Sequence, residues 1–232
     1  MNKLQSVLLG LLHDKALLKQ EVIGVAIEKF NLFKQVMSTE VLSLASGLKD
    51  RRIRMQFTDK GTNECQVLVG SDALIFHLHT NVFALPSDHP FWKVKYLKED
   101  YSRGYFGVIY VYNFLAKSIL QHHNGDGGDL LARIFINKDG FFFVEGVQLA
   151  AEKYNRLGRV KLGEKQFEEI FHLLSISAVN FDLLVPPYET VSSINVMQLQ
   201  EISSNLGMHT AKKLGFEIPN HTNLNTIEDD FE

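Results

Sequence analysis

The stretch RIRMQFTDKGTNECQVLVGSDALIFHLHTNVFAL, residues 52–85, decides the fold. Within it Ile53, Met55 and Phe57 alternate with Arg52, Arg54 and Gln56, and Cys65, Val67 and Val69 alternate in the same way. A period of two puts successive side chains on opposite faces of a strand. Polar turn residues at 58–63 and 70–72 separate the runs, and Ala73 to Leu85 reads as a third, long strand rich in β-formers. Three strands joined by short turns predict an antiparallel meander.

Upstream the period is helical. Leu4, Val7, Leu8 and Leu11 recur at three and four, and so do Leu18, Val22, Val25, Ala26, Phe30, Phe33, Val36 and Met37. The reading is helix over 1–48, with Asp14 as a candidate cap for a second helix. Downstream, Tyr105 to Tyr112 predicts another strand, and residues 113–123 either extend it or turn helical. Leu131 to Ile136 and Phe141 to Val147 flank Asn137-Lys138-Asp139-Gly140, and Asp-Gly between two apolar runs marks a hairpin. Residues 91–104 and 150–163 read as connectors, apart from a strand option around Trp92, Val94 and Tyr96. Helical spacing returns at Phe167, Ile170, Phe171 and Leu174, and again through Val196, Leu199 and Ile202.

The expected architecture is therefore α+β. An antiparallel sheet of about five or six strands over 52–147, a meander plus a hairpin, packs with N-terminal helices (1–48) and C-terminal helices (164–207). Residues 1–218 are expected to form a single domain, followed by a flexible acidic tail at 219–232. The order of elements lacks the strand–helix alternation of a doubly wound nucleotide-binding fold.

Composition bounds the function. Hydrophobic residues make up 45% of the 232, which excludes a wholly disordered chain. With 24 basic against 27 acidic side chains, net charge −3, the chain is not one that coats nucleic acid by bulk charge. A single cysteine, Cys65, excludes an intrachain disulfide and a cysteine zinc cluster. The apolar run Val7 to Leu12 is short and is followed at once by His13, Asp14 and Lys15, unlike a secretory leader. The expectation is a cytoplasmic protein with no membrane partner.

Three groups of residues invite a chemical reading. His77 and His79 fall on one face of a strand, where two imidazoles can bind a divalent metal ion. The same face carries Asn81 and is the wetter one. Arg51, Arg52 and Arg54 form one basic patch, and Lys153, Arg156, Arg159, Lys161 and Lys165 a second. If adjacent, with Tyr105, Tyr110 and Tyr112 to stack on bases, they would suit RNA. Glu145, set among Phe141, Phe143 and Val147, is an acid in an apolar run. No Gly-x-Ser-x-Gly elbow, phosphate-binding loop or EF-hand spacing is present. Phe135, Phe141, Phe142, Phe143 and Tyr110 put large rings on both faces of the sheet, which implies a partner on whichever face the helices leave open. The expected function is a non-catalytic binding or adaptor module, without cofactor, acting through its sheet face on a protein partner and forming a homodimer. The alternatives are a metal-dependent hydrolase or metal sensor using His77 and His79, and an RNA-binding protein using the two basic patches.

Overall fold

The computed structural model describes residues 2–146, 148–181, 185, 188, 193–197 and 200. The chain divides into two compact units, Met1–Asp182 and Leu183–Glu232. In the second, Val196, Met197 and Gln200 are helical, and the rest of the helix expected there, up to residue 207, lies outside the described residues, as does the tail at 219–232.

The first unit begins with α1 (Lys3–Leu11), which runs through a π turn (Leu12–Ala16) into α2 (Leu17–Gly47). Asp14 caps nothing: it lies inside the π turn, whose start has no side-chain cap. No proline interrupts this stretch, so the backbone absorbs the irregularity without reversing direction. The strands β1 (Met55–Asp59), β2 (Glu64–Val69) and β3 (Asp72–Leu78) form the expected meander. Ile53 precedes β1 and is half exposed. The long third strand breaks after Leu78. It resumes as the two-residue β4 (Phe83–Ala84), and both pieces pair with one long strand, β5 (Tyr105–Leu115). Between β4 and β5 lie short helical turns at Pro90–Lys93 and Tyr101–Gly104 and the helix α3 (Lys95–Glu99), where a connector or strand was expected. After β5 the chain turns into α4 (Ala116–Leu120), so residues 113–123 both extend the strand and form a helix. The hairpin β6 (Asp129–Asn137) and β7 (Phe142–Gly146) follows. Gly140 takes φ +77 in its turn, a conformation that favours glycine. Helix α5 (Gln148–Tyr154), unforeseen in the polar run after residue 150, leads to α6 (Glu164–Val179).

The result is a seven-stranded antiparallel sheet in the order β1-β2-β3-β5-β6-β7, with β4 beside β5 in line with β3. The α+β class holds. One face of the sheet is dry. Val22, Ala26, Phe30, Phe33, Met37 and Val41 of α2 are buried at helical spacing. From Ala26 onward they meet Leu74, Phe76, Ile109, Val111, Ile134, Ile136 and Val144 from alternate strand positions. Phe167, Ile170, Phe171 and Leu174 of α6 complete this core. Phe33 sits at the junction, with its ring centroid 4.6 Å from Phe76 and 5.2 Å from Phe167. A Cβ at Gly107 would lie 2.4 Å from the Cβ of Ala26, so α2 approaches β5 more closely than any side chain there would permit.

Candidate functional site: an open strip on the second sheet face

Among the described residues, the other face of the sheet is covered at its two ends and open between them. At one end the segment between β4 and α3 lays Phe83, Leu85, Phe91, Trp92, Tyr96 and Leu97 over Phe106, Val108, Phe135 and Phe143. Phe135 and Phe143 stack at 4.5 Å, and Phe91 meets Phe143 edge-on at 4.9 Å. At the other end α4 packs Ala116 and Ile119 with Leu68, Ala73 and Phe114. The aromatic excess of the sequence is thus largely spent on an internal second core. Among the described residues this cover is formed by the connector after β4.

The cover is fastened by polar side chains. The Tyr96 hydroxyl donates to Asp139 at 2.7 Å and accepts from the Asn137 amide at 2.9 Å. Arg103 donates from Nε to Asp139 at 2.9 Å, and its guanidinium lies 4.3 Å from the Tyr96 ring. Burial, and then the bond to Asp139, push the Tyr96 hydroxyl well above its ordinary range. Lys138 donates to Asp100 at 2.7 Å and, with Ser102, holds the Asp100 carboxyl down to about 2. His89 accepts the Phe91 N–H on Nδ1 at 3.2 Å, and burial lowers its pKa. Every one of these groups has a structural task in holding the cover down.

Between the covered ends runs a row of side chains, one from each of five adjacent strands. Glu64 pairs with His77, His77 with Tyr110, Tyr110 with Arg133 and Arg133 with Glu145. At about 4.8 Å per strand the row is roughly 19 Å long. Glu145 forms an ion pair with Arg133, so its place in an apolar run is explained by the neighbouring strand. His77 Nδ1 is 3.9 Å from the Glu64 carboxylate. The next row holds Gln66, Ile75, Tyr112 and Leu130. Tyr110 and Tyr112 stack at 6.1 Å with planes 9° apart. The side chains of His77, Arg133 and Glu145 keep 42%, 42% and 36% of their surface in solvent, which marks this strip as the uncovered part of the face. A register shift between Val111 and Tyr112 sets Tyr112 against Leu130, itself 42% exposed.

His77 and His79 do share this face. His79 lies one residue past the end of β3. Its Nδ1 accepts the Asn81 N–H at 3.0 Å, and its ring contacts Phe83 at 4.8 Å and Tyr110 at 5.9 Å. Among the described residues, no group of three or more His, Cys, Asp or Glu is arranged to hold a metal ion. His122 and His123 lie beyond α4, in the loop at 121–128 before β6: His123 is 3.6 Å from Asp126, which accepts from Ser118 at 2.5 Å.

The two basic patches are separated. Arg51, Arg52 and Arg54 precede β1, at one edge of the sheet, and form no outward strand face. Arg52 is engaged with Asp50 at 2.7 Å. Arg156, Arg159 and Lys161 follow α5, which comes after β7 at the opposite edge, about five strand spacings or 24 Å away. Lys161 lies over the Phe141 ring at 5.3 Å. Arg156, Arg159 and Lys165 border a shallow groove of about 920 Å³ that also presents Glu152, Glu168 and Glu169. Its charge is mixed. Cys65 is fully buried in the core, and burial drives its thiol far above the ordinary range. Among the described residues no helix is long and apolar enough to cross a membrane.

Comparison with protein-family models, with curated proteins and with solved structures yields no match.

Proposed function

We propose that the protein is a binding module, acting in the cytoplasm, that takes a protein partner on the open strip of its second sheet face. The single observation that carries this reading is the row Glu64–His77–Tyr110–Arg133–Glu145, backed by Ile75, Tyr112 and Leu130, left uncovered between two packed ends. Tyrosine and arginine dominate the energetics of protein interfaces, because each gives large contact area and a directed polar end. Acid, base and imidazole in one line give a partner a fixed register. The floor, roughly 19 Å long, accommodates a helix of about 13 residues. Mixed charge along it favours a protein segment over a polyanion.

The test is a photo-crosslinking side chain at Tyr112, compared with one at exposed Thr39 on α2, in the cell that makes the protein. The reading expects a discrete protein adduct from position 112 that is absent from position 39 and lost with Arg133→Glu. A nuclease-sensitive adduct assigns the face to RNA. No adduct, or one unaffected by Arg133→Glu, removes the proposal.

A further inference from the structure

Three places in the chain set an asparagine or aspartate directly before a glycine: Asn124-Gly125, Asp126-Gly127 and Asp139-Gly140. At such a pair the glycine main-chain nitrogen can attack the carbonyl carbon of the preceding side chain, because no Cβ stands in its way. Tertiary contacts separate the three. Asp139 is held by the Tyr96 hydroxyl at 2.7 Å and by Arg103 Nε at 2.9 Å. The Gly140 nitrogen, which would have to attack, donates its N–H to the Asn137 carbonyl oxygen at 3.0 Å. Asp126 accepts from Ser118 at 2.5 Å and lies 3.6 Å from His123, with its side chain only 10% exposed. Asn124-Gly125 differs on each count. Both residues are exposed, and they are the central pair of a turn closed by the Asp126 N–H, which donates to the His123 carbonyl oxygen at 3.1 Å. Among the described residues, neither the Asn124 carboxamide nor the Gly125 N–H has a hydrogen-bond partner. A Cβ at Gly125 would meet nothing within 4 Å, so open space surrounds the attacking nitrogen.

We propose that Asn124 is a site of spontaneous covalent modification, deamidation through a cyclic imide. The Gly125 nitrogen bonds to Asn124 Cγ and the Cγ–Nδ2 bond breaks. Ammonia leaves with the proton given up by the Gly125 N–H. Water then opens the ring at either carbonyl, which yields aspartate or isoaspartate. One added carboxylate takes the net charge from −3 to −4. The isoaspartate product also routes the main chain through the side-chain methylene, within the loop 121–128 that joins α4 to β6. Freeing a nitrogen or a side-chain oxygen from one hydrogen bond slows ring closure by up to about tenfold, so the held pairs at Asp126 and Asp139 lag behind. The inference is independent of the sheet-face reading, since no residue of the strip takes part.

The full chain is incubated in mildly alkaline buffer, natively and in urea. Each tryptic peptide is followed by mass spectrometry and by labelling with isoaspartyl methyltransferase. Asn124 lies in the peptide 118–133 and Asp139 in the peptide 139–153. In the native protein the first is expected to gain isoaspartate about tenfold or more faster than the second. Urea is expected to speed the reaction at Asp139 by about tenfold or more and to leave Asn124 within about threefold of its native rate. Gly125→Ala, for which the structure leaves room, is expected to slow the native reaction by about tenfold or more. Asn124→Gln is expected to abolish the mass gain in peptide 118–133. Three results overturn the proposal: a native Asn124 that outlasts Asp139 or reacts about tenfold slower than in urea, a rate untouched by Gly125→Ala, or a mass gain that appears first at another asparagine.

Discussion

Gly107→Ala tests the close approach of α2 to β5. The added Cβ would lie 2.4 Å from the Cβ of Ala26, while carbon atoms rest at about 3.5–4.0 Å. Helix α2 must therefore retreat by roughly 1.1 Å or more, against a stripe of buried side chains running from Val22 to Val41. Overpacking of this kind costs about 1–3 kcal/mol. The next atoms near the new Cβ, the Ala26 Cα at 3.8 Å and the Val22 carbonyl oxygen at 3.9 Å, are in ordinary contact, so one methyl group is the whole obstacle. Ala26→Gly alone costs about 1 kcal/mol through helix propensity. Added to Gly107→Ala, it removes the clash, and the cycle should show a favourable coupling of about 1–3 kcal/mol. Urea unfolding, followed by Trp92 fluorescence and by circular dichroism, measures all four proteins with an unchanged slope. A Gly107→Ala cost below about 0.5 kcal/mol, or a double variant as unstable as the two singles added, would refute the close approach.

The cover over the second core should loosen with acid in two steps, read by Trp92, the only tryptophan. Burial lowers the folded His89 pKa, so its contribution is complete above the unfolded value near 6.5 and is lost as pH falls from there toward the folded value. His89→Asn keeps an acceptor for the Phe91 N–H and should erase that step; a step that persists assigns it to another group. The Asp100 carboxyl, held down to about 2, contributes fully above its ordinary value of 3.8 and is lost between there and about 2, a step that Lys138→Met should shrink, leaving the part due to Ser102. Cys65 should resist Ellman's reagent in the native protein and react fully in urea; rapid native reaction would mean an open core. Arg133→Glu should lower the stability read from urea unfolding little, by less than about 1 kcal/mol, because its ion pair with Glu145 is partly in solvent. A larger loss would make the row structural rather than a binding surface.

The hairpins, the meander and both long helices were legible because each is written in a local period. Alternation at Cys65, Val67 and Val69 and the Asp-Gly turn at 139–140 need no distant partner to be read. Helix α5 escaped, since its seven residues make about two turns, too short for a helical period to repeat. The break after Leu78 also escaped. Residues His79 to Val82 have strand propensity, and only the departure of the cover segment takes them out of the ladder. The two histidines were placed on the correct face, but what lies beside them was not readable.

Sequence alone determined which residues share a face within each regular stretch of strand, because side-chain direction in a strand is set by parity; the register shift that turns Leu130 to the open face is not written in it. Tertiary structure alone decided the order of the strands, and with it the row from Glu64 to Glu145, which draws its members from positions up to 81 residues apart. It also decided that Arg51–Arg54 and Arg156–Lys161 stand at opposite edges. Pairing between distant strands depends on the burial of both faces at once, a property that no single segment carries.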